Sequence, residues 1–277
     1  MNCPICDSEF VRRLYDYNDM RWDCWNVRKY IYECSLCKLR FLYPQWSQEE
    51  LNKLYREYHL GQLDFEGQEQ APRITKYLDD YMGEASCILE IGSGRGHNIR
   101  RLNNKYPGKM FRGIDKDPDV CDGILTHNVD FEDYEPTFRH HFIYAIQVFE
   151  HVAHPLNFIK KIMDLLIVGG YFLLEIPNSD DPLLTLYKVK NFTKFYNIPY
   201  HLFFYNEKNI HTLFEQIGVK IRTKRHQNYG IINHLRWIIY GVPGNWNPHI
   251  PIIDDIYKFI LTRIFKISDT LIIVGEK

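Results

Sequence analysis

The chain has 277 residues, of which 45% are hydrophobic and 25% are charged, and its formal net charge at pH 7 is −1. This composition excludes a disordered or fibrous chain, and the length fits one large domain or two smaller ones. No stretch approaches the roughly 18 apolar residues that a membrane-spanning helix needs, and the N-terminus lacks the basic and apolar segments of a secretory signal. We therefore expect a protein without a membrane span that stays in the cytoplasm.

The small net charge hides an unequal distribution. Residues 185–277 carry 13 Lys and Arg against 6 Asp and Glu, whereas the residues before them carry 21 against 29. Ordinary solvated surface explains such a difference most simply. The alternative is that the C-terminal part faces an anionic substrate. A general nucleic-acid binder is usually more basic than this chain, which argues against that class.

Four of the seven cysteines form two Cys-x-x-Cys pairs near the N-terminus. Cys3 and Cys6 make the first pair, and Cys34 and Cys37 make the second. Each pair can form a tight turn that directs both sulfur atoms at one ion, and two such turns complete the four-sulfur shell of a structural zinc site. Four unrelated buried thiols are the alternative, which the matched spacing disfavours.

The segment 1–46 is therefore predicted to be a zinc ribbon, with strands at Phe10–Leu14 and Arg28–Glu33. A closed four-sulfur shell leaves no position for a substrate, so this zinc would stabilise structure and perform no chemistry. Ser47 and Glu50 then have the spacing of a capping box, which predicts the start of a helix.

After the ribbon, residues 47–83 are predicted to be linking helices, with a loop at Gly61–Pro72 and a second helix near Ile74–Met82. Further strands are predicted at Cys87–Ile91, Phe111–Ile114, Phe142–Val148, Tyr171–Ile176, Val219–Thr223 and Leu271–Val274, and helices at Asn98–Lys105, Pro155–Ile167 and from Asn206 to Gly218. Strands that alternate with helices favour an α/β fold with a parallel sheet covered on both faces. Residues 84–277 are therefore predicted to form a Rossmann-like domain.

A glycine-rich turn with Gly92, Gly94 and Gly96 connects the first of these strands to a helix. Glycines there let the backbone approach a ligand closely, and the helix N-terminus favours a carboxylate or phosphate. Asp115 ends the next strand, 23 residues after Gly92, where a doubly wound fold places the acid that binds ribose hydroxyls. Asp130 closes a third segment and could accept a hydrogen bond from an adenine amino group. A structural turn with two surface acids is the alternative, which the joint spacing disfavours.

These features resemble a class I S-adenosylmethionine-dependent methyltransferase over nearly the whole chain. The segments that carry the resemblance are Glu90–Gly96, Gly113–Asp115, Gln147–Val152, Val168–Phe172 and Ser268–Val274. The N-terminal ribbon is similar to that of a bacterial subgroup whose members act on nucleotide-linked sugars or other small cell-surface precursors. The resemblance implies a seven-stranded sheet with helices on both faces and S-adenosylmethionine as cofactor.

The resemblance also implies which residues contact the cofactor: Glu90, Gly92, Gly94, Gly96, Asp115, Asp130, Phe131 and Gln147. Glu90 and the glycines would hold its amino-acid end. Asp115 would bind the ribose, Asp130 and Phe131 would border the adenine, and Gln147 would lie near the methionine part.

Methyl transfer is an in-line displacement, so the enzyme must position the acceptor and remove a proton from it. Candidate groups should follow the carboxyl ends of the strands. His201 is the predicted base because the unperturbed pKa of histidine is about 6.5, and Tyr200 is predicted to orient the acceptor. Glu150 and His151 are the next candidates.

A divalent metal is the alternative for these residues. Gln147, Glu150 and His151 have i, i+3, i+4 spacing, so a helical turn would put them on one face. Together with His201 they resemble the metal site of the small-RNA 3′-end methyltransferases, which has Glu where this chain has Gln147. Three roles stay open: a metal-free histidine base, a second divalent metal at Glu150, His151 and His201, and a structural role.

The predicted function is methyl transfer to an O, N or C atom of a small anionic metabolite, such as a nucleotide-linked sugar. Aromatic-rich segments near 187–205 and 228–262 are expected to cap the acceptor site, and their alternative role is packing in a core or in a homodimer interface. An RNA methyltransferase is the second hypothesis, against which the near-zero net charge argues. A non-catalytic module that senses the cofactor is the third, and it would leave a pocket lined by Tyr and His unexplained.

Overall fold

The computed structural model describes residues 1–16, 29–47, 49–51, 53–54, 75–198, 200–242 and 248–277. Cys24 and the predicted loop Gly61–Pro72 lie outside these ranges. Within them, none of the helices is both long enough and apolar enough to span a bilayer. The chain forms two compact units: the first comprises Met1–Tyr55, Ile176–Gln216 and Thr223–Ile272, and the second comprises Arg56–Glu175, Ile217–Arg222 and Ile273–Lys277.

Strands and helices alternate along most of the described chain. The strands are β1 (Val11–Asp16), β2 (Tyr30–Cys34), β3 (Arg40–Tyr43), β4 (Cys87–Ile91), β5 (Met110–Asp115), β6 (Thr126–Asn128), β7 (His140–Ile146), β8 (Leu166–Pro177), β9 (Phe203–Phe204), β10 (Ile221–His226) and β11 (Thr270–Glu276). The α-helices are α1 (His97–Lys105), α2 (Pro155–Leu165), α3 (Pro182–Thr185), α4 (Lys190–Tyr196), α5 (Glu207–Glu215), α6 (Ile231–Tyr240) and α7 (Ile253–Phe259), the last of which continues into the π-helical segment Ile260–Phe265.

The larger sheet has seven strands in the order β10-β11-β8-β7-β4-β5-β6. The pairs β4–β5, β4–β7, β5–β6 and β7–β8 are parallel. The end of β11 lies beside the start of β8, because the Gly169 N–H donates to Lys277 O and the Lys277 N–H donates to Gly170 O, each at 2.9 Å. These strands are therefore antiparallel, and the sheet is mixed. The predicted α/β class and seven-stranded Rossmann-like sheet are confirmed.

The central strands are apolar because both of their faces are covered. All five residues of β4 are buried, and so are Phe142–Ala145 of β7. Continuous burial of this kind is typical of parallel strands between two helical layers. Helix α2 turns Phe158, Ile159 and Ile162 inward. Because the strand order reverses between β4 and β7, a ligand crevice is expected at the carboxyl ends of these two strands.

The smaller sheet belongs to the first unit and has the order β1-β2-β3-β9, with antiparallel pairs. Strands β1 and β2 lie within three residues of their predicted bounds. Strand β3 and its pairing with β9 were not predicted from the sequence. Strand β9 has only two residues, Phe203 and Phe204, which is too short for a periodic signal, and both side chains are buried.

A capping box and a helix were predicted between β3 and β4, and both are present. The capping box is present, because the Ser47 N–H donates to Glu50 Oε2 at 2.7 Å and the Glu50 N–H donates to Ser47 Oγ at 3.2 Å. The helix predicted near Ile74–Met82 is present as a 3₁₀-helix over Lys76–Tyr81. The Met82 N–H bonds to Asp79 O, three residues back, as this tighter helix requires.

Candidate functional site

The glycine loop joins β4 to α1 in the second unit. Gly92, Gly94 and Gly96 have φ angles of 66°, 49° and 72°, all in the left-handed region that glycine tolerates best. A Cβ at Gly92 would lie 2.4 Å from Val148 Cγ2, so the loop packs tightly there. A Cβ at Gly94 would meet nothing within 4 Å. The middle of the loop therefore faces open space, in which a ligand could contact the backbone.

Asp115 lies at the end of β5 with its carboxylate against this loop. The Gly94 N–H donates to Asp115 Oδ2 at 2.8 Å, and the Asp117 N–H donates to Oδ1 at 3.0 Å. The side chain is half-buried. A carboxylate oxygen can accept more than one hydrogen bond, so each oxygen retains capacity for a ligand hydroxyl. The structure thus brings together the glycine loop and the acid that the sequence paired with it.

Glu90 is a buried acid in the strand that leads into the loop, with a residue exposure of 3%. Burial raises the pKa of its carboxyl group to about 8, although Tyr144 and Asn98 act in the opposite direction. Its Oε2 atom accepts no hydrogen bond from the described residues. A buried carboxyl oxygen without a partner is costly, and a bound cation or N–H donor would relieve that cost.

Asp130 and Phe131 follow β6, which pairs in parallel with β5. Asp130 is exposed and accepts a hydrogen bond from the Glu132 N–H at 3.0 Å. Phe131 is buried, and its ring centroid lies 4.7 Å from that of Phe158. Asp130 therefore follows the strand next to the one that Asp115 ends, whereas the Phe131 ring packs against a core helix.

Gln147 follows β7 with a φ of 56°, which is uncommon for a residue other than glycine. Its backbone N–H donates to Glu175 O at 2.8 Å, and its side-chain Nε2 donates to Glu175 Oε1 at 3.2 Å. Backbone strain of this kind is concentrated at functional sites. Glu175 is a buried residue that the sequence analysis missed. A possible signal was its position as the one charged residue within the apolar run Phe172–Ile176.

The prediction that Gln147, Glu150 and His151 share one helical face is wrong. The left-handed backbone at Gln147 precedes a short 3₁₀-helix at Phe149–His151, so the three residues do not lie on one helical turn. The Gln147 side chain bonds to Glu175 instead. Glu150 is buried, and its Oε1 lies 3.6 Å from His151 Nε2.

Tyr200 and His201 belong to the first unit and lie among aromatic side chains. His201 has an exposure of 8%, and its ring centroid lies 5.5 Å from that of Tyr200 and 5.9 Å from that of Phe204. Both ring contacts are edge-to-face, and the backbone N–H of His201 donates to the backbone oxygen of Ile198 at 3.1 Å. The packing fixes the orientation of the imidazole, and its role as a base stays a prediction.

The four cysteines of the two pairs converge at the N-terminus. The Cys3 and Cys37 sulfur atoms lie 3.6 Å apart and those of Cys6 and Cys34 lie 3.5 Å apart, and all four lie within 4.8 Å of one another. Four sulfurs around one zinc ion at about 2.3 Å would lie about 3.8 Å from one another, so the spacing fits. The hydrogen bond between Cys3 and Cys37 lowers the pKa of the Cys3 thiol and raises the pKa of the Cys37 thiol, so this pair favours one thiolate and one thiol in the absence of a metal.

Both cysteine turns have the same backbone form. The Asp7 N–H donates to Cys3 O and the Lys38 N–H donates to Cys34 O, each at 3.0 Å. Asp7 and Lys38 both have a left-handed backbone, with φ angles of 54° and 64°. The matched Cys-x-x-Cys spacing in the sequence therefore corresponds to matched turns in the structure.

A doubly wound sheet with a glycine loop and a ribose-type acid at its strand reversal defines a class of α/β proteins that bind nucleoside-containing cofactors. Residues 64–224 match the family described as "methyltransferase domain". This match covers more than half of the chain, so the chain belongs to that family. The predicted resemblance to the methyltransferase family is confirmed.

Individual relatives agree with this assignment. A segment of 97 residues is 27% identical to the trans-aconitate 2-methyltransferase of Agrobacterium fabrum and covers 32% of this chain and 38% of that enzyme. A SAM-dependent methyltransferase from Archaeoglobus fulgidus has a TM-score of 0.51 at 16% identity, over 79% of this chain and 99% of that one. The plantazolicin methyltransferase BpumL, solved with a triazolic desmethylPZN analog and SAH, has a TM-score of 0.50 at 13% identity, over 83% of this chain and 99% of that one. At these identities the two structures show the shared fold.

Proposed function

We propose that the protein transfers a methyl group from S-adenosylmethionine to an O, N or C atom of a small anionic acceptor, such as a nucleotide-linked sugar or another phosphorylated precursor. The observation that carries the proposal is the arrangement at the glycine loop. Asp115 is hydrogen-bonded to the Gly94 N–H, the backbone at Gly94 faces open space, and the buried Glu90 lies in the strand that leads into the loop.

The polar groups of this loop suit the polar groups of S-adenosylmethionine. The ribose carries two hydroxyls that can donate to Asp115 Oδ1 and Oδ2, as the doubly wound fold predicts. The amino-acid end carries an ammonium group that suits the unpartnered Oε2 of Glu90. Its carboxylate suits the N-terminus of α1, which begins at His97 directly after the loop. Bound in this way, the cofactor supplies an electrophilic methyl group on a sulfonium.

Cofactor binding should change the protonation of Glu90. Without a cation nearby, burial raises the pKa of this carboxyl to about 8, so the group is protonated at pH 7. An adjacent ammonium favours the carboxylate and lowers that pKa. Binding should therefore release a proton from Glu90 to the solvent.

The proposed acceptor class rests on charge and on the matched relative. The relative from Agrobacterium fabrum is named for trans-aconitate, a small carboxylic acid. Residues 185–277 of this chain carry an excess of 7 positive charges, which suits an anionic acceptor. His201 is the proposed base and Tyr200 the proposed orienting hydroxyl, with Glu150 and His151 as the next candidates.

The cysteine cluster is proposed to bind one structural zinc ion through Cys3, Cys6, Cys34 and Cys37. The sulfur spacing and the two matched turns support this assignment. Four thiolates complete a tetrahedral shell, so the ion would stabilise the small sheet and leave no position for the acceptor.

The proposed function is tested by incubating the purified full chain with S-adenosylmethionine and a panel of acceptors, and by measuring S-adenosylhomocysteine. The panel contains nucleotide-linked sugars, small polycarboxylates and RNA. We expect turnover with a small anion and none with RNA. Gly94→Val should abolish turnover, because a β-branched residue is strained at the left-handed φ of Gly94. Gly83→Val is the control and should keep turnover, because a Cβ at Gly83 has no atom within 4 Å and the backbone there is not left-handed. Turnover with RNA alone would refute the acceptor class.

A further inference from the structure

Helix α6 buries two polar side chains and exposes several apolar ones. Its buried residues are Asn233, His234 and Trp237. The exposed apolar residues of α6 and of the turn after it are Leu235, Ile238, Ile239, Tyr240 and Val242, with exposures of 42%, 46%, 65%, 67% and 52%. A surface helix normally shows the opposite pattern.

Helix α7 likewise buries a polar residue and exposes apolar ones. Its buried residue is Asp254, which accepts hydrogen bonds from the Ile231 N–H at 2.9 Å and the Ile250 N–H at 2.8 Å. The apolar residues on and around this helix are exposed by 51–71%: Ile252, Ile253, Ile256, Phe259, Ile264 and Phe265. Exposed apolar side chains concentrated on two successive helices indicate a binding surface.

The buried polar contacts prevent these helices from turning their apolar sides inward. His234 Nδ1 and the Tyr257 hydroxyl lie 2.5 Å apart, and the hydroxyls of Tyr257 and Tyr187 lie 2.9 Å apart. A rotation of either helix would break these bonds and the bonds to Asp254, and would leave buried polar groups unsatisfied. The outward apolar face is therefore a fixed feature of the fold.

The surroundings of the face are basic. Helix α4 packs against α6 through Trp237, whose ring centroid lies 5.0 Å from that of Phe192. Over residues 186–196, 229–242 and 248–267 the exposed basic residues are Lys188, Lys190, Lys194, Arg263 and Lys266, whereas Arg236 and Lys258 are half-buried. The same ranges contain two acids, Asp254 and Asp255, and Asp254 is buried. We call the exposed residues of α4, α6, α7 and the π-helical segment the apolar-basic face.

We propose that the apolar-basic face docks on the surface of an anionic lipid membrane. Exposed Ile and Phe side chains can enter the boundary between headgroups and acyl chains, while Lys and Arg contact anionic headgroups. A second copy of the chain fits less well, since a two-fold interface would place the same basic residues opposite each other. The proposal is independent of the methyl acceptor and of the cofactor site.

The test is co-sedimentation of the full chain with vesicles. We expect binding to vesicles of equal parts phosphatidylglycerol and phosphatidylcholine, weaker binding as salt is raised, and little binding to pure phosphatidylcholine. The double variant Ile239→Asp, Phe259→Asp should reduce binding at least tenfold, and Arg263→Gln with Lys266→Gln should reduce it several-fold. The control is Ile124→Asp with Val168→Asp, two apolar residues exposed by 79% and 87% outside this face, which should not change binding.

Equal binding to neutral and anionic vesicles, or equal binding of both double Asp variants, would overturn the proposal. So would the absence of vesicle binding together with a dimer that dissociates in the Ile239→Asp, Phe259→Asp variant, since a second copy would then cover the face. Unchanged affinity of each variant for S-adenosylhomocysteine and an unchanged melting temperature confirm that the fold is retained.

Discussion

The cysteine cluster and the glycine loop arrange their polar atoms in opposite ways. In the cluster the four sulfur atoms face one another within 4.8 Å, so a single ion would satisfy all of them. At the loop, Glu90 Oε2 and Ser93 Oγ have no hydrogen-bond partner among the described residues, and Gly94 faces open space. Polar groups that bind one ion together stabilise a fold, whereas a buried polar group that has no partner and lies beside open space is a candidate contact for a ligand. The predictions below test this difference.

The largest effect is expected from the cluster. Cys34→Ser removes one ligand, so the protein should lose its zinc, and the small sheet should unfold, because the free energy of structural zinc binding, about 10–16 kcal/mol, is folding free energy. Elemental analysis and thermal unfolding measure the two effects. Cys121→Ser, outside the cluster, is the control and should keep both metal and stability. Full metal content in Cys34→Ser would show that the cluster is not a zinc site.

His201→Ala should slow methyl transfer by about 10²–10⁴-fold, with unchanged cofactor affinity, because it removes the proposed base. His249→Ala, on an exposed histidine, is the control. If His201 only holds the aromatic cluster, its loss should lower the melting temperature as well as the rate. Wild-type turnover in His201→Ala would show that His201 is not the base, and Glu150 or His151 would become the next candidate.

Glu90→Gln should stabilise the unliganded protein at alkaline pH. The pKa of Glu90 is raised from 4.5 to about 8, so its contribution to stability is complete below pH 4.5 and is lost as the pH rises towards 8. Glu90→Gln has no carboxyl that titrates at this position. Its free energy of unfolding relative to that of the wild type should therefore grow by about 1.4 kcal/mol per pH unit in that window. Denaturant unfolding at several pH values measures it, with the exposed Glu135→Gln as control. Parallel pH profiles for wild type and Glu90→Gln would contradict the assigned burial.

Asp115→Asn should weaken binding of S-adenosylhomocysteine by about 1.5–3 kcal/mol, which is roughly 10- to 150-fold, because it removes the charge from the hydrogen bonds to the ribose. The amide keeps an oxygen for the Gly94 N–H, so the loop should retain its form. Calorimetric titration gives the affinity, and Asp133→Asn, on an exposed acid, is the control. An unchanged affinity for S-adenosylhomocysteine would show that Asp115 does not contact the cofactor.

The sequence predicted best those parts of the fold in which local chemistry determines the structure. Paired Cys-x-x-Cys turns, the capping box of Ser47 and the glycine loop each need particular residue types at fixed spacing, so they are visible in one chain. The buried runs of β4 and β7 are visible for the same reason.

The missed features depend on contacts between distant residues. The left-handed backbone at Gln147 is stabilised by bonds to Glu175, so helical spacing alone was misleading. Strand β9 exists because β3 pairs with it. The exposure of apolar residues on α6 follows from hydrogen bonds to Asp254 and Tyr257. Both residues lie outside α6, so the periodicity within α6 could not predict it. The predicted cap over the acceptor site, near 187–205 and 228–262, stays a prediction.

The most direct test of the central claim is calorimetric titration of S-adenosylhomocysteine at pH 7, in two buffers with different ionisation enthalpies. If the buried polar groups without partners at the glycine loop form the cofactor site, one equivalent of S-adenosylhomocysteine should bind to the protein. Close to one proton should be released per ligand bound. The release should vanish in Glu90→Gln and binding should vanish in Gly94→Val. No binding to the wild-type protein, or equal binding to wild type and Gly94→Val, would contradict the account.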